Sequence, residues 1–215
     1  MKLLKTGITG LDELLRGGLP PKVLLLSGEP GSATEVFAQQ VAYNLARQTH
    51  ISYLTLNKTV EQVRLDMLSF GWDLKKLESS NNWRFISVPA DQLRDVIEGE
   101  MRESRSIVVD SLSDAFYGGE ALDVLDVLRF MSRQNTRFQG LHLALITKGM
   151  HDHEVEVAAQ HISEGVVDFT VNQGPEYVTR RMCIKKLAGA ILPVRNITYV
   201  VGEKGVTIDT ALRIT

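Results

Sequence analysis

Val23-Leu24-Leu25-Leu26-Ser27-Gly28-Glu29-Pro30-Gly31-Ser32-Ala33-Thr34-Glu35 decides how this 215-residue chain is read. Residues 23–27 form a short apolar run, the length of a buried strand and too short to span a membrane. Gly28-Glu29-Pro30-Gly31 is a turn signal, and Val36, Phe37, Gln40, Val41, Asn44 and Leu45 follow at helical spacings. Strand, Gly-rich turn and helix N-terminus, in that order, make a phosphate-binding loop. Backbone N–H groups wrap the phosphates, and a Lys and a Ser or Thr complete the site. Alone the signal is weak, because many strand-to-helix turns contain Gly-x-Pro-Gly.

Outward from the loop, strand and helix signals alternate. Residues 51–56, 83–88, 106–110 and 141–147 read as strands. Residues 106–110 are so apolar that both faces should be covered. Residues 36–45, 60–70, 91–103 and 122–130 read as helices, the third amphipathic through Leu93, Ile97 and Met101. After Ile162 the pattern changes. Residues 166–172, 177–186, 197–201 and 206–208 read as consecutive strands joined by Gly-containing turns. The expected fold is α/β: a mostly parallel sheet flanked by helices, then a C-terminal antiparallel strand extension.

Bulk properties narrow the class further. The length suits one domain spanning residues 1–215, with no linker or repeat to divide it. A net charge of -2 gives no global pull toward nucleic acid or an anionic membrane. Cys183 is the single cysteine, so no internal disulfide forms, and the first 21 residues hold no signal peptide. A cytoplasmic location is expected.

The surrounding motifs resemble the KaiC-like members of the RecA superfamily. Thr6-Gly7-Ile8-Thr9-Gly10-Leu11-Asp12-Glu13-Leu14-Leu15 and Gly17-Gly18-Leu19-Pro20 are similar to the segment before that family's P-loop. Tyr53-Leu54-Thr55-Leu56 resembles its second core strand, and Gly71-Trp72-Asp73-Leu74 a signature after the next helix. Ile107-Val108-Val109-Asp110-Ser111 is similar to its Walker B strand, and Ala144-Leu145-Ile146-Thr147 to the strand whose polar end senses the γ-phosphate. Ser163-Glu164-Gly165-Val166-Val167-Asp168 and Lys185-Lys186-Leu187-Ala188-Gly189 match its C-terminal strands. The resemblance runs in order through nearly the whole chain and implies a RecA-like P-loop core, with an archaeal source.

Three departures from the pattern point the other way on activity. Where the family has Gly-Lys-Thr/Ser, the chain reads Ala33-Thr34-Glu35, which lacks the cation for the β and γ phosphates and puts a carboxylate where a hydroxyl holds Mg²⁺. The family's pair of Glu, one of which activates water, aligns with Asn57 and Lys58, neither a carboxylate base. The Lys-x-Arg-Gly that reaches a neighbouring subunit's γ-phosphate reads Lys186-Leu187-Ala188-Gly189, without the Arg, a group worth orders of magnitude in rate. Gly28, Glu29, Pro30, Gly31, Ser32, Ala33, Thr34, Glu35, Asp110 and Thr147 are thus read as a vestigial nucleotide site with no catalytic residue. Asn57, Lys58 and Ala188 are read as lost catalytic positions. No cofactor is expected, with room for weak ATP/Mg²⁺ binding because Mg²⁺ offsets part of the repulsion. Asp110 also has a plainer reading, retention as a helix cap.

The remaining candidates weigh toward protein partners. The two loops with which RecA-like recombinases hold single strands fall at residues 113–124 and 148–157. They carry Asp114, Glu120, Asp123, Asp152, Glu154 and Glu156 against Lys148 alone, the wrong sign for phosphates. His151-Asp152-His153-Glu154 reads as a solvated loop, not a metal site. Arg180-Arg181 and Lys185-Lys186 form the main basic cluster, either a solvated sheet edge or a subunit contact. Strand alternation would separate Lys185 from Lys186. Cys183 reads as a packed side chain, and Trp72 and Trp83 as core.

The function expected from this is a catalytically inactive KaiC-like protein, a regulatory or signal-transduction component that forms homo-oligomers or pairs with an active paralogue. The alternatives are a nucleotide-binding switch or slow ATPase resembling the archaeal flagellar-motor accessory ATPases and, against the acidic loops, a RadA-paralogue-like recombination mediator.

Overall fold

The apolar run at the head of the loop becomes strand β1 (Val23–Gly28), buried along its whole length. Leu24 and Leu26 join a first core on one side of the sheet, Val23 and Leu25 a second core on the other. Covered on both faces, the strand has no reason to alternate polar with apolar. The computed structural model describes residues 3–116, 121–174, 177–189 and 196–208.

Eight further strands complete one sheet: β2 (Ile51–Thr55), β3 (Trp83–Ser87), β4 (Ser106–Asp110), β5 (His142–Thr147), β6 (Gly165–Gln173), β7 (Val178–Leu187), β8 (Asn196–Gly202) and β9 (Gly205–Ile208). Their order is β3-β2-β4-β5-β1-β6-β7-β8-β9. Every pair up to β1–β6 is parallel, and the last three pairs are antiparallel. The expected α/β architecture, a parallel core with an antiparallel extension, is the one observed.

Helices α1 (Leu11–Leu14), α2 (Thr34–Leu45), α3 (Val60–Ser69) and α4 (Lys75–Ser79) come before β3. The first core contains Phe37 and Val41 of α2, Val63 and Met67 of α3, and both Trp72 and Trp83. α5 (Leu93–Arg102), α6 (Leu112–Ala115), α7 (Ala121–Phe138) and α8 (His153–Ile162) supply the second core, with Leu93, Ile97, Leu112, Leu128, Met131 and Ala159. No helix among the described residues is long and apolar enough to cross a membrane.

Asp12 ties down the segment before β1: its carboxylate accepts from Thr6 N and Oγ1 at 2.8 Å and from Gly7 N at 3.1 Å. Asn44 Nδ2 then donates to Thr6 O at 3.1 Å, which fastens that segment to α2.

Several expectations need correction. The helix read over residues 122–130 runs on to Phe138, its inward positions continuing through Met131 and the buried Asn135. A polar residue at an inward position hid that turn. The helix read over residues 91–103 opens as a 3₁₀ turn (Ala90–Gln92) before α5. The two acidic loops are largely helical: α6 and the start of α7 occupy the first, and α8 takes the second from His153 onward. Residues 117–120, Glu120 among them, and the side chain of Asp123 lie outside the described residues. Of His151-Asp152-His153-Glu154 the first two residues are loop, with Asp152 at the N-cap, and the last two open α8; His151 Nε2 pairs with Ser113 Oγ at 3.0 Å.

Arg180 and Arg181 are not on a sheet edge, because that part of β7 pairs with both β6 and β8, whereas Lys185 and Lys186 lie beyond the described stretch that pairs with β8. A β-bulge shifts the register between Val166↔Lys186 and Val167↔Ile184. Lys185 Nζ meets Asp168 Oδ1 at 3.1 Å, and Lys186 Nζ donates to His161 O of α8 at 2.7 Å. The bulge therefore sends both lysines to the α8 side, where strict alternation would have parted them.

Candidate functional site

The loop between β1 and α2 lies at the C-terminal end of the parallel strands, where open α/β sheets place ligands. Its backbone is that of a tight phosphate-type turn. Ser32 N and Ser32 Oγ both donate to Glu29 O, at 3.0 and 2.6 Å, and Gly31 has φ +83°. Ala33, at φ 58°, occupies the left-handed region just before α2. A Cβ there costs roughly 1–2 kcal/mol, so the fold holds Ala33 where a glycine would be relaxed. Gly28 has no such choice: a Cβ on it would lie 1.9 Å from Thr34 Oγ1.

Thr34 begins α2 with its side chain turned back into the loop. It is buried, and Oγ1 lies 2.8 Å from Ser32 Oγ. Glu35 follows on the first turn, half-buried at the rim. Together Gly28, Glu29, Pro30, Gly31, Ser32, Thr34, Glu35, Asn57, Lys58, Asp110 and Thr147 line one cleft of about 190 Å³. Ser111, Asp114, Leu145 and Ile146 line it too, and the sequence reading had not singled them out for the site.

Asp110 closes β4 at the floor of the cleft. Its carboxylate accepts from Tyr53 Oη, and Gln39 Nε2 donates to the same hydroxyl at 3.3 Å. Burial pushes the Asp110 carboxyl up to about 6; the Tyr53 bond pulls against that and the Glu35 charge adds to it. Burial, and then the Asp110 charge, drive the Tyr53 hydroxyl well above its ordinary value. Asp110 does not cap a helix. Ser111 does: its Oγ accepts from Asp114 N at 3.3 Å at the start of α6.

Among the described residues that line the cleft, Glu29, Glu35, Asp110 and Asp114 stand against one cation, Lys58. Lys58 Nζ is drawn away to Asp66 at 2.9 Å. Burial works to lower its pKa, but the Asp66 bond and charge outweigh that and hold it above the usual lysine value.

Strands far along the chain hold the loop from behind. Glu29 N donates to Phe169 O at 3.2 Å, and Val171 N to Glu29 Oε2 at 2.7 Å. Arg180 Nε donates to Gly31 O at 3.0 Å, and the buried Tyr199 hydroxyl donates to Ser32 O. No local pattern marks these residues. Lys185, Lys186 and Ala188 do not line the cleft of their own chain. Leu187 pairs with Gly165 and Ala188 N donates to Glu164 O, at the opposite end of β6.

The strand order, the turn between β1 and α2, and the carboxylate at the end of β4 define an α/β domain of the RecA-like P-loop type. A family model described as "ATPase: KaiC" matches residues 4–213, and the chain belongs to that family. A UPF0273 protein of Aeropyrum pernix is 26% identical over 240 residues, covering 98% of this chain and 95% of that protein. The circadian clock protein KaiC3 of Synechocystis sp. is 34% identical over 100 residues, 45% of this chain and 20% of that protein. The crystal structure of the KaiC-like protein PH0186 from Pyrococcus horikoshii OT3 superposes with a TM-score of 0.79 at 21% identity, over 96% of this chain and 98% of that one. That likeness bears on the fold.

Proposed function

We propose that this protein is a member of the KaiC family that does not hydrolyse ATP and acts as a regulatory or signalling interaction protein. It would work as a homo-oligomer or beside an active paralogue, with Lys185 and Lys186 near the subunit contact. The observation that carries the reading is the charge of the cleft: Glu29, Glu35, Asp110 and Asp114 face Lys58 alone among its described lining residues.

The residues present do not fit a magnesium-bound triphosphate. Thr34, where the family resemblance puts a lysine, turns its hydroxyl onto Ser32. Glu35 brings a carboxylate to the helix N-terminus that would face the phosphates. A carboxylate and a phosphate about 4 Å apart repel by about 4 kcal/mol at an effective dielectric near 20. Asn57 and Lys58 offer no carboxylate base to a water at the cleft mouth. The second reading, a nucleotide-binding switch, is favoured by the tight turn itself and by the free N–H groups of the first turn of α2.

Thermal unfolding with and without Mg²⁺-ATP, beside phosphate release, separates the two. The wild type is expected to show no shift and no turnover, while Thr34→Lys/Glu35→Thr gains a shift of several degrees. A wild-type shift as large as that of the variant sinks the first reading and supports the switch.

A further inference from the structure

A second cleft, of about 480 Å³, opens between α5 and α7 on the outer surface of the second core, and its charge is opposite to that of the first. Arg94, Asp126, Arg129, Phe130 and Arg133 line it. The apolar residues of these two helices are already committed elsewhere: Leu93, Ile97 and Met101 of α5 and Val127, Leu128 and Met131 of α7 are buried beneath it. The arginines are therefore not needed to close the core.

Their arrangement suits an anion. Arg94, exposed on α5, lies over the Phe130 ring with its guanidinium carbon 4.7 Å from the centroid. That contact draws the guanidinium toward the ring, and none of its N–H donors has a protein acceptor among the described residues. Arg129 and Arg133 are one helical turn apart on α7, a like-charged spacing that is mildly destabilising in a helix. Among the described lining residues Asp126 is the single carboxylate, and it pairs with Arg129 at 3.1 Å. Neither Arg94 nor Arg133 has a carboxylate within 4.0 Å among the described residues.

We propose that this cleft is a binding site for a phosphorylated small molecule, whose phosphoryl groups are held by the forks of Arg94 and Arg133 with Arg129 beside them. Planar guanidinium groups match phosphate oxygens two at a time, and the size of the cleft suits a compact ligand. The site is independent of the loop cleft on the opposite charge logic, and its ligand is bound without being transformed.

Isothermal titration of the full chain with inorganic pyrophosphate tests this. One equivalent is expected to bind, with affinity falling as salt rises. Arg94→Ala and Arg133→Ala should each weaken binding at least about tenfold, and Arg133→Lys should weaken it as well, because it keeps the charge and loses the fork. Circular dichroism checks that the variants fold. On the wild type, pyrophosphate should slow amide exchange in residues 93–102 and 124–138. No binding, or binding that ignores both alanine variants, overturns the proposal. So does a short single-stranded oligonucleotide or a glutamate-rich peptide that binds more tightly than pyrophosphate through the same arginines.

Discussion

Arg180 Nε donates to the carbonyl oxygen of Gly31 at 3.0 Å, joining residues 149 positions apart. The Tyr199 hydroxyl does the same for the next carbonyl, that of Ser32, from inside the core. Burial separates the two bonds energetically. Tyr199→Phe leaves a carbonyl unpaired where water does not reach, and is expected to cost about 1–2 kcal/mol. Arg180→Ala, at a bond open to solvent, is expected to cost less than about 0.5 kcal/mol. Urea unfolding of the two variants reads the difference, and equal losses would contradict it.

Ala33 gives a prediction with an unusual sign. A Gly in place of Ala normally weakens a protein, but Ala33 is held at φ 58°. Ala33→Gly is expected to raise stability by roughly 0.5–1 kcal/mol, since relief of the left-handed strain exceeds the added freedom of the unfolded chain. The same urea titration measures it.

Two buried groups should give opposite pH dependences. Asp110, facing Tyr53, Glu35, Lys58 and Asp114, has its carboxyl raised from 3.8 to about 6. Its contribution is full below pH 3.8 and is lost as pH rises through 6. His142, completely buried, is held down from 6.5 to about 3 by burial alone. Its contribution is full above pH 6.5 and is lost as pH falls toward 3. Between pH 4 and 6 the slopes from these two groups cancel. Asp110→Asn removes one of them, so this variant is expected to lose stability on acidification from pH 6.5 to 4 more steeply than the wild type. The difference amounts to a few kcal/mol, about 1.4 per pH unit. Thermal unfolding across that range tests it, and parallel curves would refute the assignment.

At the other end of the sheet, Glu100 is buried among Ser52, Arg84 and Arg105. It accepts from Ser52 Oγ and from Arg84 Nη1 at 2.9 Å, and its Oε2 lies 3.4 Å from Arg105 Nε. Arg105 also donates to Ile51 O at 2.6 Å and Asn81 O at 3.0 Å. Glu100→Ala strands a buried guanidinium and is expected to cost about 3–5 kcal/mol. Differential scanning calorimetry measures the loss.

The strands were legible because burial on one or both faces writes itself into short apolar runs, as in β1, β4 and β5. Helices α1, α4 and α6 were not, being four or five residues long with little room for a period. α8 escaped because Ala159 is its only fully buried residue, and its charged first turn reads as a loop. The cleft was legible where its residues are consecutive, from Gly28 to Glu35, and where strands end, at Asp110 and Thr147. Arg180 and Tyr199 were not, because each meets a backbone carbonyl, a partner that every residue offers. The bulge that turns Lys186 beside Lys185 likewise leaves no mark in the order of residues.

The bonds from Phe169, Val171, Arg180 and Tyr199 give the loop two owners. Residues 28–35 spell it, and residues 169–199 hold it in shape. A fragment ending before β6 would keep every letter of the motif and lose its conformation. Substitutions in β6 to β8 would reshape the cleft without touching any of its walls.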